Sequence, residues 1–227
     1  MKKLVPIFLA AAMLFNSCGI SKTGSGALIG AGSGAVVGGL IGYLVTGDAK
    51  GAAIGAAAGT AVGGGTGAII GNKMDKKAAE LKALEDAQIE TIEDANGYKA
   101  IKVTFSSGIL FPTNGSTLSK AAKADLAKFA SEMADLPDTD IAVHGHTDNT
   151  GKPEVNDRLS VKRAESVAKY LNENGIVAER MHVEGHSFNE PIADNATAEG
   201  RAQNRRVEIF ISANEDMIKA AEAEAKN

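Results

Sequence analysis

Hydrophobic and polar residues follow three different patterns along the chain, and each pattern predicts a different structure. Residues 4–15 form an apolar run behind two lysines. Residues 24–71 repeat glycine every fourth position among apolar residues. From residue 97 onward, segments with every second residue apolar are interspersed with segments of helical spacing. These patterns predict an export segment, a glycine-rich helical segment and a C-terminal α/β domain.

The C-terminal segment, residues 97–213, predicts four strands and two helices. Ile101, Val103 and Phe105 share one strand face, and Val207, Ile209 and Ile211 alternate in the same way. Further strands are predicted near residues 141–143 and 180–184, with helices at 119–136 and 160–172. The order βαβαβ followed by a further strand predicts an α/β fold, a two-layer sandwich with helices packed on one face of a mixed sheet.

Two runs of glycine dominate residues 18–72. The spacing of four places the glycines on one helix face, where a second backbone can approach closely. A polar turn at residues 46–50 separates the runs, so they predict an antiparallel helical hairpin that resembles the glycine-zipper segments of bacterial envelope proteins. Such a hairpin could cross a bilayer, lie on its surface or form homo-oligomers. The alternative is a flexible linker, but a linker would not require glycine at every fourth position without interruption. The runs are Gly26, Gly30, Gly34, Gly38 and Gly42, then Gly51, Gly55, Gly59, Gly63, Gly67 and Gly71.

The first 17 residues have the layout of a signal peptide, with a positive start, an apolar run and Ser17 before Cys18. Cys18 is the sole cysteine, so no disulfide can form within the chain. Its position resembles a bacterial lipobox, which implies a lipid-modified N-terminus embedded in outer-membrane lipid. The alternative is an ordinary signal peptide with an incidental cysteine.

Two charged segments flank the C-terminal domain. Residues 73–96 are rich in Ala, Lys, Glu and Leu, with a sparse apolar stripe, and predict a charged spacer helix. Residues 214–227 predict a charged tail, either a short solvated helix or a frayed end.

Several motifs in residues 97–212 carry a family resemblance. Gly145-His146-Thr147-Asp148-Asn149-Thr150-Gly151 is followed by Leu159-Ser160 and Arg163-Ala164, and later by Asn204-Arg205-Arg206-Val207. Together these motifs resemble the OmpA C-terminal family, which includes peptidoglycan-associated lipoproteins. The resemblance implies that the domain binds the stem peptide of peptidoglycan, chiefly through diaminopimelate.

The resemblance also implies a set of ligand-binding residues. Diaminopimelate ends in an ammonium and a carboxylate on one carbon, so its receptor needs an anion and a cation a few ångström apart. Asp148 would accept the ammonium, and the planar guanidinium of Arg163 would bind the carboxylate. The remaining family positions are Asn114, Thr150, Asn156, Leu159 and Arg205.

Other classes of function have little support. A net charge of -4 gives no basic footprint for nucleic acid. No Gly-x-Ser-x-Gly elbow is present, and the chain is not expected to be an enzyme or to need a cofactor. His144, His146, His182 and His186 could bind a metal only if two strands brought them together, and no His-Glu-x-x-His helix occurs, so no metal is expected.

These observations predict a non-catalytic lipoprotein that anchors the outer membrane to peptidoglycan, with its C-terminal domain in the periplasm. An alternative keeps the C-terminal domain as the wall tether. In it, the glycine-zipper helices oligomerise into a membrane pore or an envelope-assembly structure.

Overall fold

The computed structural model describes residues 64–112 and 114–226. The predicted signal peptide, Cys18 and nearly all of the glycine-zipper segment lie outside the described residues. Within the described ranges, no helix combines the length and the apolar character that a membrane span requires.

A five-stranded mixed sheet forms the centre of the domain. Its strand order is β1-β2-β5-β3-β4, with β3 and β4 parallel and the other neighbours antiparallel. This architecture confirms the predicted α/β sandwich with a mixed sheet. The strands are β1 (Ala87–Glu93), β2 (Lys99–Ser106), β3 (Thr139–His146), β4 (Met181–Ser187) and β5 (Arg206–Ala213), and the helices are α1 (Gly65–Leu81), α2 (Ser107–Leu110), α3 (Lys120–Glu132), α4 (Pro153–Glu173), α5 (Ala198–Asn204) and α6 (Glu215–Glu224).

The hydrophobic core lies between the helices and one face of this sheet. The alternating residues of β2 and β5 that the sequence placed on one face are all buried in it. Side chains of α3 and α4 cover them, because their apolar positions recur at helical spacing. The main contributors are Ile101, Val103, Phe105, Val207, Ile209, Ile211, Leu126, Phe129, Val167 and Leu171.

Two glycines allow α4 to lie unusually close to the sheet. A Cβ atom on Gly145 of β3 would lie 2.1 Å from the carbonyl oxygen of Ser160 in α4. One on Gly185 of β4 would lie 2.5 Å from the backbone nitrogen of Val161. Only glycine permits this contact, which brings the next turn of α4 to the end of β3.

Strand β1 corrects the prediction of a spacer helix over residues 73–96. The helix ends at Leu81, and residues 87–93 pair antiparallel with β2 through a hairpin. Gly97 has a φ of 77° in the turn, and Asp94 Oδ1 accepts hydrogen bonds from the backbone of Asn96 and Tyr98. The Asn96-Gly97 pair is a strong hairpin signal that outweighs the helix-forming composition of the segment.

Helix α1 also crosses the boundary predicted between the zipper and the spacer at residue 72. Ile70, Met74 and Leu81 are fully buried in the core of the domain. The Lys77 ammonium lies 2.5 Å from Asp135 Oδ1 and donates a hydrogen bond to the Glu132 carbonyl, so it joins α1 to the end of α3. The last residues of the glycine repeat are therefore part of the folded domain.

The C-terminal segment is likewise part of the domain, which corrects the prediction of a solvated or frayed tail. The Asn214 side chain caps α6 by accepting hydrogen bonds from the backbone of Asp216 and Met217. Met217 and Ala221 are buried in the core, and α6 packs against α1. Its charged composition concealed the narrow apolar stripe that makes this contact.

Candidate functional site

A cavity of about 470 Å³ opens beyond the end of β3. Four segments meet there: the loop after β3, the first half of α4, the short helix α2 with the loop that follows it, and the junction between α5 and β5. All seven sequence-predicted binding residues line this one cavity. The full lining is Ser107, Gly108, Phe111, Pro112, Asn114, Thr147, Asp148, Thr150, Asn156, Leu159, Arg163 and Arg205.

Asp148 lies in a tight loop immediately after β3. Its Oδ1 accepts hydrogen bonds from the backbone N–H of Thr150, at 2.9 Å, and from the Thr150 hydroxyl. Asn156 donates from its side chain to the carbonyl oxygens of Asp148 and Thr150. Thr150 and Asn156 therefore hold the loop and the carboxylate in place, and Gly151, with a φ of 90°, allows the turn.

Arg205 forms an ion pair with Asp148 across the cavity. Its Nη1 lies 2.6 Å from Asp148 Oδ2, and its backbone carbonyl accepts a hydrogen bond from Ser107. Arg205 therefore neutralises the charge of Asp148 in this structure. Burial opposes ionisation of Asp148, yet the hydrogen bonds from Thr150 and Arg205 keep its pKa below the ordinary value.

Arg163 reaches the cavity from α4 and is almost fully buried, with 3% of its surface exposed. Its Nε donates to the Gly115 carbonyl at 3.1 Å, and its guanidinium carbon lies 5.3 Å from the centre of the Phe111 ring. Nη1 has no hydrogen-bond partner in the described part of the chain. Burial, together with repulsion from Arg205, lowers the pKa of Arg163. This buried, unsatisfied donor is prepared to bind an anion.

Asn114 lies in the loop after α2, in a left-handed conformation with a φ of 57° that asparagine tolerates better than most residues. Gly115 follows, and a Cβ atom there would lie 2.8 Å from the Pro112 ring. The loop thus presents the Gly115 carbonyl to Arg163. Leu159 is half-buried and forms the apolar wall of the cavity.

Five lining residues were not among the predicted binding residues: Ser107, Gly108, Phe111, Pro112 and Thr147. The hydroxyls of Ser107 and Thr147 are buried and find no hydrogen-bond partner within residues 64–112 and 114–226. A signal existed for Thr147, which directly precedes Asp148 in the motif. No local pattern marks Ser107, because its role depends on the contact between α2 and Arg205.

Two arginines and the four histidines lie away from the cavity. Arg201 donates to backbone carbonyls of its own loop, and Arg206 pairs with Glu208. His144 and His146 are buried on the outer face of the sheet, the face opposite the helices. Burial is the main cause that lowers the pKa of His144 to about 3 and that of His146 to about 2, so both are neutral at pH 7.

The fold and the cavity together define the class of the domain. It is an α/β sandwich of the OmpA-like type, with helices on one face of a mixed sheet and a charged cavity beyond the end of β3. The C-terminal domain is an OmpA family domain, since the profile of that family matches residues 110–205. The profile of the YMGG-like Gly-zipper matches residues 1–75, in agreement with the glycine-zipper pattern.

Two relatives illustrate the extent of the similarity. The outer-membrane lipoprotein YfiB of Pseudomonas aeruginosa is 39% identical over 108 residues, which are 48% of this chain and 64% of YfiB. The peptidoglycan-binding protein ArfA of Mycobacterium tuberculosis is 39% identical over 113 residues, 50% of this chain and 35% of ArfA. The chain thus spans less than two thirds of the length of each.

Among solved structures, the cell wall anchor of the T6SS from Pseudomonas aeruginosa is similar to the described domain. The TM-score is 0.52 and the sequence identity is 30%. The superposition covers 62% of this chain and 97% of that structure. The likeness extends over almost the whole of the solved anchor domain.

Proposed function

We propose that the chain is a non-catalytic lipoprotein that anchors the outer membrane to peptidoglycan. The observation that carries this proposal is the cavity in which Asp148, Arg163 and Arg205 meet, in a domain of the OmpA family. The names of the relatives support it, since they include a peptidoglycan-binding protein, an outer-membrane lipoprotein and a cell wall anchor.

The ligand in this proposal is the charged end of diaminopimelate in the stem peptide. Its carboxylate would bind the unsatisfied Nη1 of Arg163, where burial strengthens a charged hydrogen bond. Its ammonium would bind Asp148, which stays ionised because its pKa is lowered. Asp148 would then share its carboxylate between the ammonium and Arg205.

The charge of the cavity suits a ligand that brings more negative than positive charge. Two arginines face a single aspartate, so the lining carries a net positive charge. The stem peptide has further carboxylates, and one of them would offset Arg205 once the ammonium engages Asp148. Asn114, Thr150, Asn156 and Leu159 would shape the walls around the bound residue.

The test is co-sedimentation of the purified full-length protein with isolated sacculi. Asp148→Ala and Arg163→Ala are each expected to abolish sedimentation, because each leaves one charge of the ligand, the ammonium or the carboxylate, without its partner on the protein. Arg158→Ala is the matched control, since Arg158 is an exposed arginine on the same helix. Circular dichroism of every variant checks that the fold is retained.

A second comparison tests the chemistry of the ligand. Soluble muropeptides with diaminopimelate should bind, whereas muropeptides with lysine, which lack the distal carboxylate, should bind at least about tenfold more weakly. Equal affinity for both peptides would contradict the role of Arg163. Normal sedimentation of folded Asp148→Ala and Arg163→Ala would overturn the wall-binding site as a whole.

The membrane end of the tether requires a separate experiment, because Cys18 lies outside the described residues. Mass spectrometry of the mature N-terminus is expected to find a lipid-modified Cys18. Cys18→Ser should release the protein from the outer-membrane fraction while leaving its binding to sacculi intact. An unmodified N-terminus that begins elsewhere would remove the lipid anchor from the proposal.

A further inference from the structure

Three histidines meet on the outer face of the sheet, on the side opposite the core. His144 and His146 belong to β3, and His186 belongs to the parallel neighbour β4. A bulge in β4 brings the His186 ring between the other two, with ring centroids 4.5 Å from His144 and 5.2 Å from His146. The expectation that no metal would bind assumed that these strands would not converge, and in the structure they do.

The polar atoms of this cluster lack partners. Only 1% of the surface of His144 is exposed, and neither of its ring nitrogens has a hydrogen-bond partner among the described residues. The same is true of His186 Nε2, which lies 3.4 Å from Glu184 Oε2 without the geometry of a hydrogen bond. Buried polar groups without partners are rare, because each costs free energy unless another group or an ion satisfies it.

From these contacts we infer that His144, Glu184 and His186 bind a divalent transition-metal ion, preferentially zinc. One ligand atom from each residue lies within 4.8 Å of the other two. Zinc ligands at roughly 2.0–2.1 Å from the ion would be separated from one another by roughly 3.3 Å, so the side chains need to close by up to about 1.5 Å. Glu184 and His186 are only half-buried, so their side chains have room for this movement.

The surroundings match those of a zinc-binding histidine. His186 Nδ1 lies 3.1 Å from Glu190 Oε1, so the carboxylate can accept a hydrogen bond from Nδ1–H. This hydrogen bond fixes the tautomer in which the lone pair of Nε2 is directed to the metal. Such a carboxylate behind a histidine ligand is the usual support for a bound metal. Two histidines and one carboxylate are a common zinc ligand set, which leaves a position for water.

The charges around the cluster also favour a cation. Glu184, Glu190 and Glu208 face the imidazoles, and Arg206 and Lys102 are positive groups that oppose them. Arg206 is itself paired with Glu208, with 2.7 Å between Nε and Oε1. The remaining carboxylates, of Glu184 and Glu190, would offset the charge of a divalent ion.

The test uses the full-length protein with an affinity tag that contains no histidine, freed of metal with a chelator. Titration with zinc chloride, followed by calorimetry and elemental analysis, is expected to give one ion per chain. Binding should raise the melting temperature. Cobalt in place of zinc should give visible absorption bands typical of a low-coordinate site with nitrogen and oxygen ligands.

Variants decide which residues bind. His144→Ala, His186→Ala and Glu184→Gln should each weaken zinc binding by more than about tenfold, and Glu190→Gln by about 10–100-fold. His182→Ala is the matched control, because His182 lies on the same strand outside the cluster and should leave binding unchanged. Circular dichroism identifies any variant that fails to fold, and the remaining variants then carry the comparison.

Two results would overturn the inference. The first is a folded wild-type protein that takes up no zinc at micromolar concentrations. The second is uptake that the three ligand variants leave unchanged, or that His182→Ala reduces as much as they do.

Discussion

Arg163→Lys separates the charge of the proposed ligand-binding arginine from its shape. Lysine keeps the positive charge but has no planar fork. Its N–H donors are all on one nitrogen, whereas the guanidinium can donate from different nitrogens to two separate acceptors. In the structure, Nε of Arg163 is bound to the Gly115 carbonyl at 3.1 Å while Nη1 has no partner in the described residues. A single ammonium cannot serve both the loop and the ligand with this geometry.

The contacts determine the expected size of the effect. A hydrogen bond from a charged donor contributes about 1.5–3 kcal/mol, and the variant loses one such bond, either to Gly115 or to the ligand. Because about 1.4 kcal/mol corresponds to a factor of ten, muropeptide affinity should fall about ten- to a hundredfold if the bond to the ligand is the one lost. The free energy of unfolding should instead fall by about 1.5–3 kcal/mol if the bond to Gly115 is the one lost.

Isothermal titration calorimetry with a diaminopimelate muropeptide measures the affinity, and urea unfolding measures the stability. Arg158→Lys serves as the control, because it makes the same chemical change at an exposed position of α4. The reasoning is refuted if Arg163→Lys binds the muropeptide within a factor of two of the wild type and also unfolds with the same free energy, since the fork would then contribute to neither contact.

Three further predictions concern pH and packing. Because the pKa of Asp148 is held below its ordinary value, sedimentation with sacculi should stay constant from about pH 8 to about pH 5 and decline only below about pH 4; a loss near pH 6 would contradict this. Burial raises the pKa of Asp94 from 3.8 to about 6, so the folded state retains a proton that the unfolded state releases, and stability should fall as pH rises between these values. Asp94→Asn should therefore raise the free energy of unfolding at pH 7 by about 1–3 kcal/mol and flatten its pH dependence in urea titrations, whereas an unstabilised variant would refute the shift. Gly145→Ala would place a Cβ atom 2.1 Å from the Ser160 carbonyl oxygen and should cost more than about 3 kcal/mol in urea unfolding. Gly64→Ala, whose Cβ atom would meet none of the described residues within 4 Å, should cost little, and equal stabilities of the two variants would show that α4 can shift freely.

Most of the sheet could be predicted from the sequence, because its strands bury alternate residues on one face. Ile101, Val103 and Phe105 are fully buried together, as their spacing indicates. Such a local period leads directly to a face of a strand or helix. The residues that would meet at one cavity were instead implied by the resemblance of the motifs around Asp148 and Arg163 to the OmpA C-terminal family.

Only the tertiary structure decided the features that depend on partners distant in the chain. Residues 87–93 have the composition of a helix, yet they form β1 because β2 offers them a hydrogen-bonded edge. Asp148 pairs with Arg205, 57 residues away, and His144 meets His186 because β3 and β4 are neighbours in the sheet. Composition and periodicity describe how one segment can bury its own apolar face. They do not say which other segment will lie against it, and that choice determined the ion pair in the cavity and the histidine cluster on the outer face.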